Sequence, residues 1–185
     1  MKTYTIIAGV NGCGKSSLTG VLRTEIDNLG KIIDVDKITV ACGGNAIEGG
    51  KKAIAIIDDC LEKGICFTQE TTLSGKKTLN TIKRAVEKGY YIRLYYVGLD
   101  TMEESLLRID NRVKKGGHNI DTDAVIKRFD KRFEDLLTVL PHCNEATFYD
   151  NDNGFVTVAK YKNGELQPIG KNSPKWLKEL IEKMN

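Results

Sequence analysis

An α/β chain, with a mostly parallel sheet flanked by helices and a C-terminal β-hairpin and helix, is predicted by three observations. An amphipathic segment, a glycine and an apolar run follow one another three times, around Gly30, Gly64 and Gly89. Right-handed β-α-β units require that alternation. The first apolar run, Tyr4-Thr5-Ile6-Ile7-Ala8, leads straight into GVNGCGKSS, Gly9 to Ser17. Near the other end, Asn163-Gly164 lies between Phe155 to Tyr161 and Glu165 to Ile169, a strong hairpin signal.

The elements follow in order. A first helix is expected to begin at Lys15 to Ser17, to bury Leu18, Val21, Leu22, Ile26 and Leu29, and to stop at Gly30 as its cap. Ile32-Ile33 opens the next strand. A second helix is expected around Ala53 to Lys63, ended by Gly64 and followed by the strand Ile65-Cys66-Phe67. A third spans about Ser74 to Lys88 with Leu79, Ile82 and Val86 inward, and Tyr90 to Leu99 follows as a strand. Met102 to Lys114 reads as a helix leading into the polar, glycine-rich loop Lys115-Gly116-Gly117-His118. Asp121-Thr122-Asp123 offers side-chain oxygens to a helix start, and Val125, Phe129, Phe133, Leu136 and Leu140 form the stripe of that helix. Ala146 to Tyr149 is a strand, and Ser173 caps a last helix with Pro174 at its first position.

At 185 residues the chain is expected to be one domain over 1–185, with a lid at about 108–132 and the hairpin plus helix at about 155–185. A net charge of +3 is too small to imply nucleic acid. No apolar run reaches the roughly 18 residues of a membrane span. The first apolar run enters the glycine loop rather than a cleavage site, unlike a signal peptide. Five cysteines without C-x-x-C spacing fit reduced thiols and a cytoplasmic location.

Gly9-x-x-x-x-Gly14-Lys15-Ser16 has the spacing of a phosphate-binding Walker A loop, between an apolar strand and a helix. The pattern implies the P-loop NTPase fold, nucleoside-kinase-like, with ATP and Mg²⁺ as ligands. Backbone N–H groups curl around the β-phosphate, Lys15 reaches the β- and γ-phosphates, and Ser16 ligates Mg²⁺. Asn11, Gly12, Cys13, Gly14, Lys15, Ser16 and Ser17 are the expected nucleotide contacts. Cys13 is either an oxidation target at the helix N-terminus or a small residue the loop tolerates.

A hydrolase must aim water, whereas a kinase must orient an acceptor hydroxyl. Asp34-Val35-Asp36 follows Ile32-Ile33, and strand alternation puts both carboxylates on one side. Asp34 can hold a Mg²⁺-bound water while Asp36 takes the acceptor's proton; otherwise the segment caps a turn. Glu70-Thr71-Thr72 closes the next strand and suits a polyhydroxylated acceptor, although its threonines can instead cap a helix. Arg108 and Arg112 share one helix face, and Arg128 and Arg132 repeat that spacing beyond the glycine-rich loop. A mobile loop between arginines fits a lid that excludes water and neutralises transition-state charge. His118 is a candidate contact in that lid or a surface residue. The alternatives to a small-molecule kinase are a kinase of an RNA or nucleotide terminus and a nucleotide-dependent switch without an acceptor.

Glu70-Thr-Thr-Leu-Ser-Gly75, Arg112-Val-Lys-Lys-Gly-Gly-His-Asn-Ile120 and Arg128-Phe129 together resemble the zeta toxin family. The resemblance runs from the glycine loop to about Asn151. It implies ATP-dependent phosphoryl transfer to a sugar hydroxyl of a UDP-amino sugar such as UDP-N-acetylglucosamine, with an antitoxin protein as restraining partner. By that resemblance Asp36 matches the catalytic base, and Glu70 and Thr72 match acceptor-binding positions. Arg112 and Arg128 match phosphate-contacting arginines, with Arg108 a competing match for the first, and Asp150-Asn151 matches a pair near the adenine. The chain departs from the family pattern in having Asp34-Val35-Asp36 where relatives carry Asn-Pro-Asp or Asn-Ala-Asp, and in lacking an arginine between Lys37 and Gly50.

Overall fold

The computed structural model describes residues 1–117, 119–170 and 173–185. Strand β1 (Thr3–Ala8) is buried along its whole length. Alternation along it separates two cores. Tyr4, Ile6 and Ala8 pack on one face of the sheet with Phe67, Leu94 and Phe148. Ile7 packs on the other with Leu18, Leu22 and Val97. A strand apolar on both faces has to lie between two layers of helices.

Four further strands run parallel to β1: β2 (Lys31–Asp34), β3 (Phe67–Thr71), β4 (Tyr91–Gly98) and β5 (Glu145–Asp150). β6 (Val156–Lys162) and β7 (Glu165–Pro168) continue the sheet antiparallel. The seven-stranded order is β2-β3-β1-β4-β5-β6-β7. The chain leaves β1 first toward one edge and later toward the other, so a crevice opens at the C-terminal ends of the parallel strands. The expected hairpin forms between β6 and β7. Asn163 and Gly164 both take positive φ, 54° and 85°, as the tight turn that suits strand twist requires.

The helices are α1 (Lys15–Glu25), α2 (Val35–Ala41), α3 (Ala46–Lys63), α4 (Lys77–Glu87), α5 (Met102–Lys114), α6 (Thr122–Asp130), α7 (Arg132–Val139) and α8 (Lys175–Met184). Several differ from the sequence expectation, each for a local reason. α1 stops at Glu25 because Ile26 turns extended, so Leu29 is buried from a loop and Val21 faces solvent. Gly30 is no helix cap. Its Cα lies against the Cys66 carbonyl, where any side chain would collide, and Lys31 N–H donates to that carbonyl at 3.0 Å.

α2 was not foreseen, being short and without a buried residue of its own. α3 begins earlier than expected, because the Asn45 carboxamide accepts from the N–H groups of Ile47 and Glu48. α4 starts at Lys77 rather than Ser74 and buries Thr78, Thr81, Ile82 and Ala85, leaving Val86 exposed. The single helix expected after Asp121 is two, α6 and α7, separated at Lys131. Ser173 makes no cap for α8. The Asp100 carboxylate takes the Trp176 N–H instead, at 2.9 Å. Among the described residues no helix is long and apolar enough to cross a membrane.

α8 is fastened through Trp176, which is 1% exposed. Its indole packs against Gly98, where a Cβ would come within 2.2 Å of the ring, and its Nε1–H donates to Asp150 at 2.8 Å. Arg132 of α7 reaches Glu179 of α8 at 2.6 Å, with its guanidinium against the rings of Phe129 and Phe133. Replacing Trp176 by Ala removes the indole's packing and leaves Asp150 unanswered, so a loss of about 3–5 kcal/mol in unfolding free energy is expected. Urea unfolding of Trp176→Ala against wild type, followed by far-UV circular dichroism, measures it.

Candidate active site

The crevice at the strand ends is a cleft of about 760 Å³. One wall is the loop between β1 and α1, and Asn11, Gly12, Gly14, Lys15, Ser16 and Ser17 all line it. Gly12 and Gly14 hold φ of +75° and +104°, in the left-handed region that a side chain disfavours. A Cβ at Gly14 would also stand 2.5 Å from the Asn151 amide nitrogen. The Lys15 ammonium folds back across the loop and donates to the Gly9 and Val10 carbonyls, at 3.0 and 2.9 Å. Those neutral acceptors hold a cation more weakly than a phosphate can.

The neighbouring strands supply carboxylates, arranged differently from the sequence expectation. Asp34 and Asp36 are not on one strand face. Asp34 ends β2 and caps α2, accepting from Lys37 N–H at 3.1 Å, and its other oxygen pairs with the Lys37 ammonium at 3.2 Å. Asp36 sits in the first turn of α2, exposed, and no donor among the described residues takes its carboxylate. Both line the cleft.

Glu70, which pairs in register with Asp34, is 7% exposed. Its two oxygens accept from Ser16 Oγ at 2.7 Å and Thr19 Oγ1 at 2.6 Å. The Ser16 hydroxyl therefore lies on Glu70 and not on Asp34. Thr19 escaped the sequence reading, although it stands one helical turn beyond Lys15 and Ser16, on the face that must meet β3. Thr71, Thr72 and Ser74 continue the lining from the end of β3, and Lys37, Val40 and Lys77 close the far side.

Arginines supply the third wall. Arg108, Arg112 and Arg128 line the cleft together. Arg108 forms an ion pair with Glu104 and donates to the Asn151 carbonyl at 2.5 Å, whereas Arg128 donates to the Asn11 side-chain oxygen at 3.1 Å. Arg132 does not repeat the role of Arg128. It is buried between the two phenylalanines and the C-terminal helix, away from the cleft. Asn151 is placed outside the lining, where its amide donates to the Cys13 carbonyl at 2.9 Å. His118 lies outside the described residues.

Oxygen donors at Ser16 and Glu70 suit a hard divalent cation. Among the described residues no group of three His, Cys, Asp or Glu could hold a metal unaided.

No family model matches the chain. An uncharacterized protein of Haemophilus influenzae is 36% identical over 126 residues, covering 65% of this chain and 88% of that protein. Among solved structures, that of the PezAT chromosomal toxin-antitoxin system of Streptococcus pneumoniae superposes with a TM-score of 0.68 at 16% identity, covering 100% of this chain and 84% of the other. A structure of AvrRxo1-ORF1:-ORF2 with ATP superposes with a TM-score of 0.71 at 16% identity, over 100% of this chain but only 63% of that one. The fold is thus zeta-toxin-like, a P-loop kinase-like α/β architecture.

Cys13 is fully buried, and burial pushes its thiol above the ordinary range despite the opposing pull of Lys15 and Arg108. Of the two readings of Cys13, burial in the apolar cluster beside Val10 agrees with a small residue that the loop tolerates rather than with an oxidation target. Cys60 and Cys143 are buried as well, leaving Cys42 and Cys66 half-buried. With a thiol reagent at pH 8, the native protein is expected to react quickly at Cys42 and Cys66. The other three should react roughly a hundredfold more slowly, as when attack waits on a local opening of about 3 kcal/mol. Time-resolved labelling with peptide mass mapping checks the order.

Proposed function

The chain belongs to the same family as the Haemophilus influenzae protein, and we propose that it is an ATP- and Mg²⁺-dependent kinase that transfers the γ-phosphate to a hydroxyl of a sugar nucleotide similar to UDP-N-acetylglucosamine. One observation carries the reading. A single cleft presents the glycine loop with Lys15 on one side and, on another, the unengaged Asp36 carboxylate. A nucleotide-dependent switch has no need of that second, acceptor-facing half.

In this reading the loop from Asn11 to Ser17 holds the phosphates of ATP, with Asn151 behind it toward the base. Lys15 leaves its two carbonyls for the β- and γ-phosphates. Ser16 and Glu70 would hold Mg²⁺, which would supply charge neutralisation for the phosphate groups. Glu70 takes this place ahead of Asp34, whose oxygens are both engaged by Lys37. Asp36 accepts the proton of the acceptor hydroxyl, because a base must offer a free lone pair. Thr72 binds the acceptor. Arg112 and Arg128 stabilise charge on the transferring group, and Arg108 assists from the same helix. Residues 1–185 act as one domain whose lid, about 108–132, carries those arginines and His118. An antitoxin partner and a cytoplasmic setting belong to the same reading.

Arg108 and Arg112 also border an adjoining groove of about 410 Å³ with Asn111, Lys115 and Gly117. That basic extension favours, as a second reading, an acceptor carrying more phosphates, such as an RNA or nucleotide terminus. Steep salt dependence of acceptor binding would distinguish it.

Incubation with labelled ATP and a panel of sugar nucleotides, read by mass spectrometry for a gain of one phosphate, tests the proposal. ATP binding without a modified product on any acceptor would favour the switch. Asp36→Asn is expected to leave ATP affinity nearly intact and to lower transfer about 10²–10⁴-fold. Lys15→Ala should weaken both binding and transfer, as nucleotide titration and initial rates would show.

A further inference from the structure

A glycine loop binds phosphate by turning successive N–H groups inward. A planar trans peptide points its C=O opposite to the N–H of the next residue. Fixing a carbonyl outward therefore fixes the following N–H inward. Two carbonyls of this loop are fixed in that way by side chains that do not line the cleft. Ser105 Oγ donates to the Asn11 carbonyl at 2.6 Å, and the Asn151 amide donates to the Cys13 carbonyl at 2.9 Å. The N–H groups so oriented are those of Gly12 and Gly14, both cleft-lining residues.

Asn151 is already assigned to the nucleotide side of the site, but Ser105 is assigned to nothing. It is fully buried on α5, in the stripe that otherwise presents Met102 and Ile109. Its backbone carbonyl stands 2.8 Å from where a side chain on Gly12 would begin. Helix and loop thus meet backbone to backbone, with one hydroxyl between them. A small apolar residue would fill that space equally well, so packing alone does not explain the hydroxyl.

We propose that Ser105 is a positioning residue for phosphate binding: its hydroxyl pins the Asn11–Gly12 peptide so that the Gly12 N–H faces the cleft. The inference rests on the nucleotide reading of the site. It limits the effect to ligands that carry phosphate, since adenosine does not engage these N–H groups.

The test compares wild type, Ser105→Ala and Ser105→Cys by titration calorimetry with ATP·Mg²⁺, inorganic pyrophosphate and adenosine, with melting curves of the free proteins. Ser105→Ala is expected to weaken ATP and pyrophosphate roughly tenfold, the scale of one lost hydrogen bond, and to leave adenosine unchanged. Ser105→Cys keeps a weak donor and nearly the same volume, so a smaller loss is expected. It carries the test if the alanine variant does not fold. Phosphate-ligand affinities within about twofold of wild type, or an equal weakening of adenosine, would overturn the inference and leave Ser105 a packing residue. A wild type that binds neither ATP nor pyrophosphate would instead overturn the nucleotide reading, and this inference with it.

Discussion

The orientation of a few peptide planes between Gly9 and Lys15 is the constraint on which the rest of the site depends. The loop holds the first of those planes itself, where the Lys15 ammonium takes the Gly9 and Val10 carbonyls and Cys13 N–H donates to Val10. It has neither a regular ladder of hydrogen bonds nor, at its glycines, side chains to pack. The later planes are held from outside, by Ser105 on α5, by Asn151 after β5 and by Arg128 on α6 through the Asn11 side chain. Each contact comes from a different part of the chain, more than 90 residues away in sequence. The glycine loop is thus a local motif whose geometry depends on the whole sheet order, because β1, β4 and β5 must be neighbours for these side chains to arrive.

Beside the loop, Glu70 is a second constraint of the same kind. A carboxylate 7% exposed normally requires a cation or strong donors. Here two hydroxyls of α1 satisfy it, Ser16 and Thr19. Hydroxyl donors are neutral, so they satisfy the carboxylate oxygens without supplying a counter-charge, and arginines line the same cleft. Asp34 shows the opposite solution, its charge consumed by a helix cap and by Lys37. Three carboxylates at two adjacent strand ends therefore differ in availability: one is spent, one is held by neutral donors and one is free.

How much of this was legible in the sequence follows from the range over which each feature is determined. The glycine loop, the parallel sheet and the Asn163-Gly164 hairpin were legible because apolar runs and turn chemistry are local. α2 was not, since its seven residues bury nothing of their own and the segment looked like a strand end. The helix ends at Glu25 and Lys131 were missed for a related reason. The apolar stripes continue past both breaks, carried by a loop residue in one case and by a second helix in the other. Residue types at the cleft were legible and their partners were not: Asp34 and Glu70 were both recognised as cleft carboxylates, but which one meets Ser16 depends on the register of β2, β3 and β1. Thr19 and Ser105 left only faint signals, a hydroxyl at helical spacing from Ser16 and a serine inside an apolar stripe.

The same contacts bear on how the proposed lid can move. Arg108 and Ser105 lie one turn apart on α5, and Ser105 touches the glycine loop through its hydroxyl while Arg108 holds the Asn151 carbonyl. Lifting the start of α5 would break both contacts and release the loop it supports, costing affinity at the moment a nucleotide has to enter. α6 meets the loop through the Arg128 and Asn11 side chains, a contact that a phosphate can replace, and through Phe129, which is buried in one cluster with Val10 and Cys13. Between the two helices, Gly116 takes a φ of +85° with open space around it. In the proposed reading α5 therefore stays with the loop, and the adjustment to phosphate falls to the Arg128 side chain. The division of labour among the arginines follows: Arg108, and Arg112 with it, form the fixed side of the grip, and Arg128 the side that arrives.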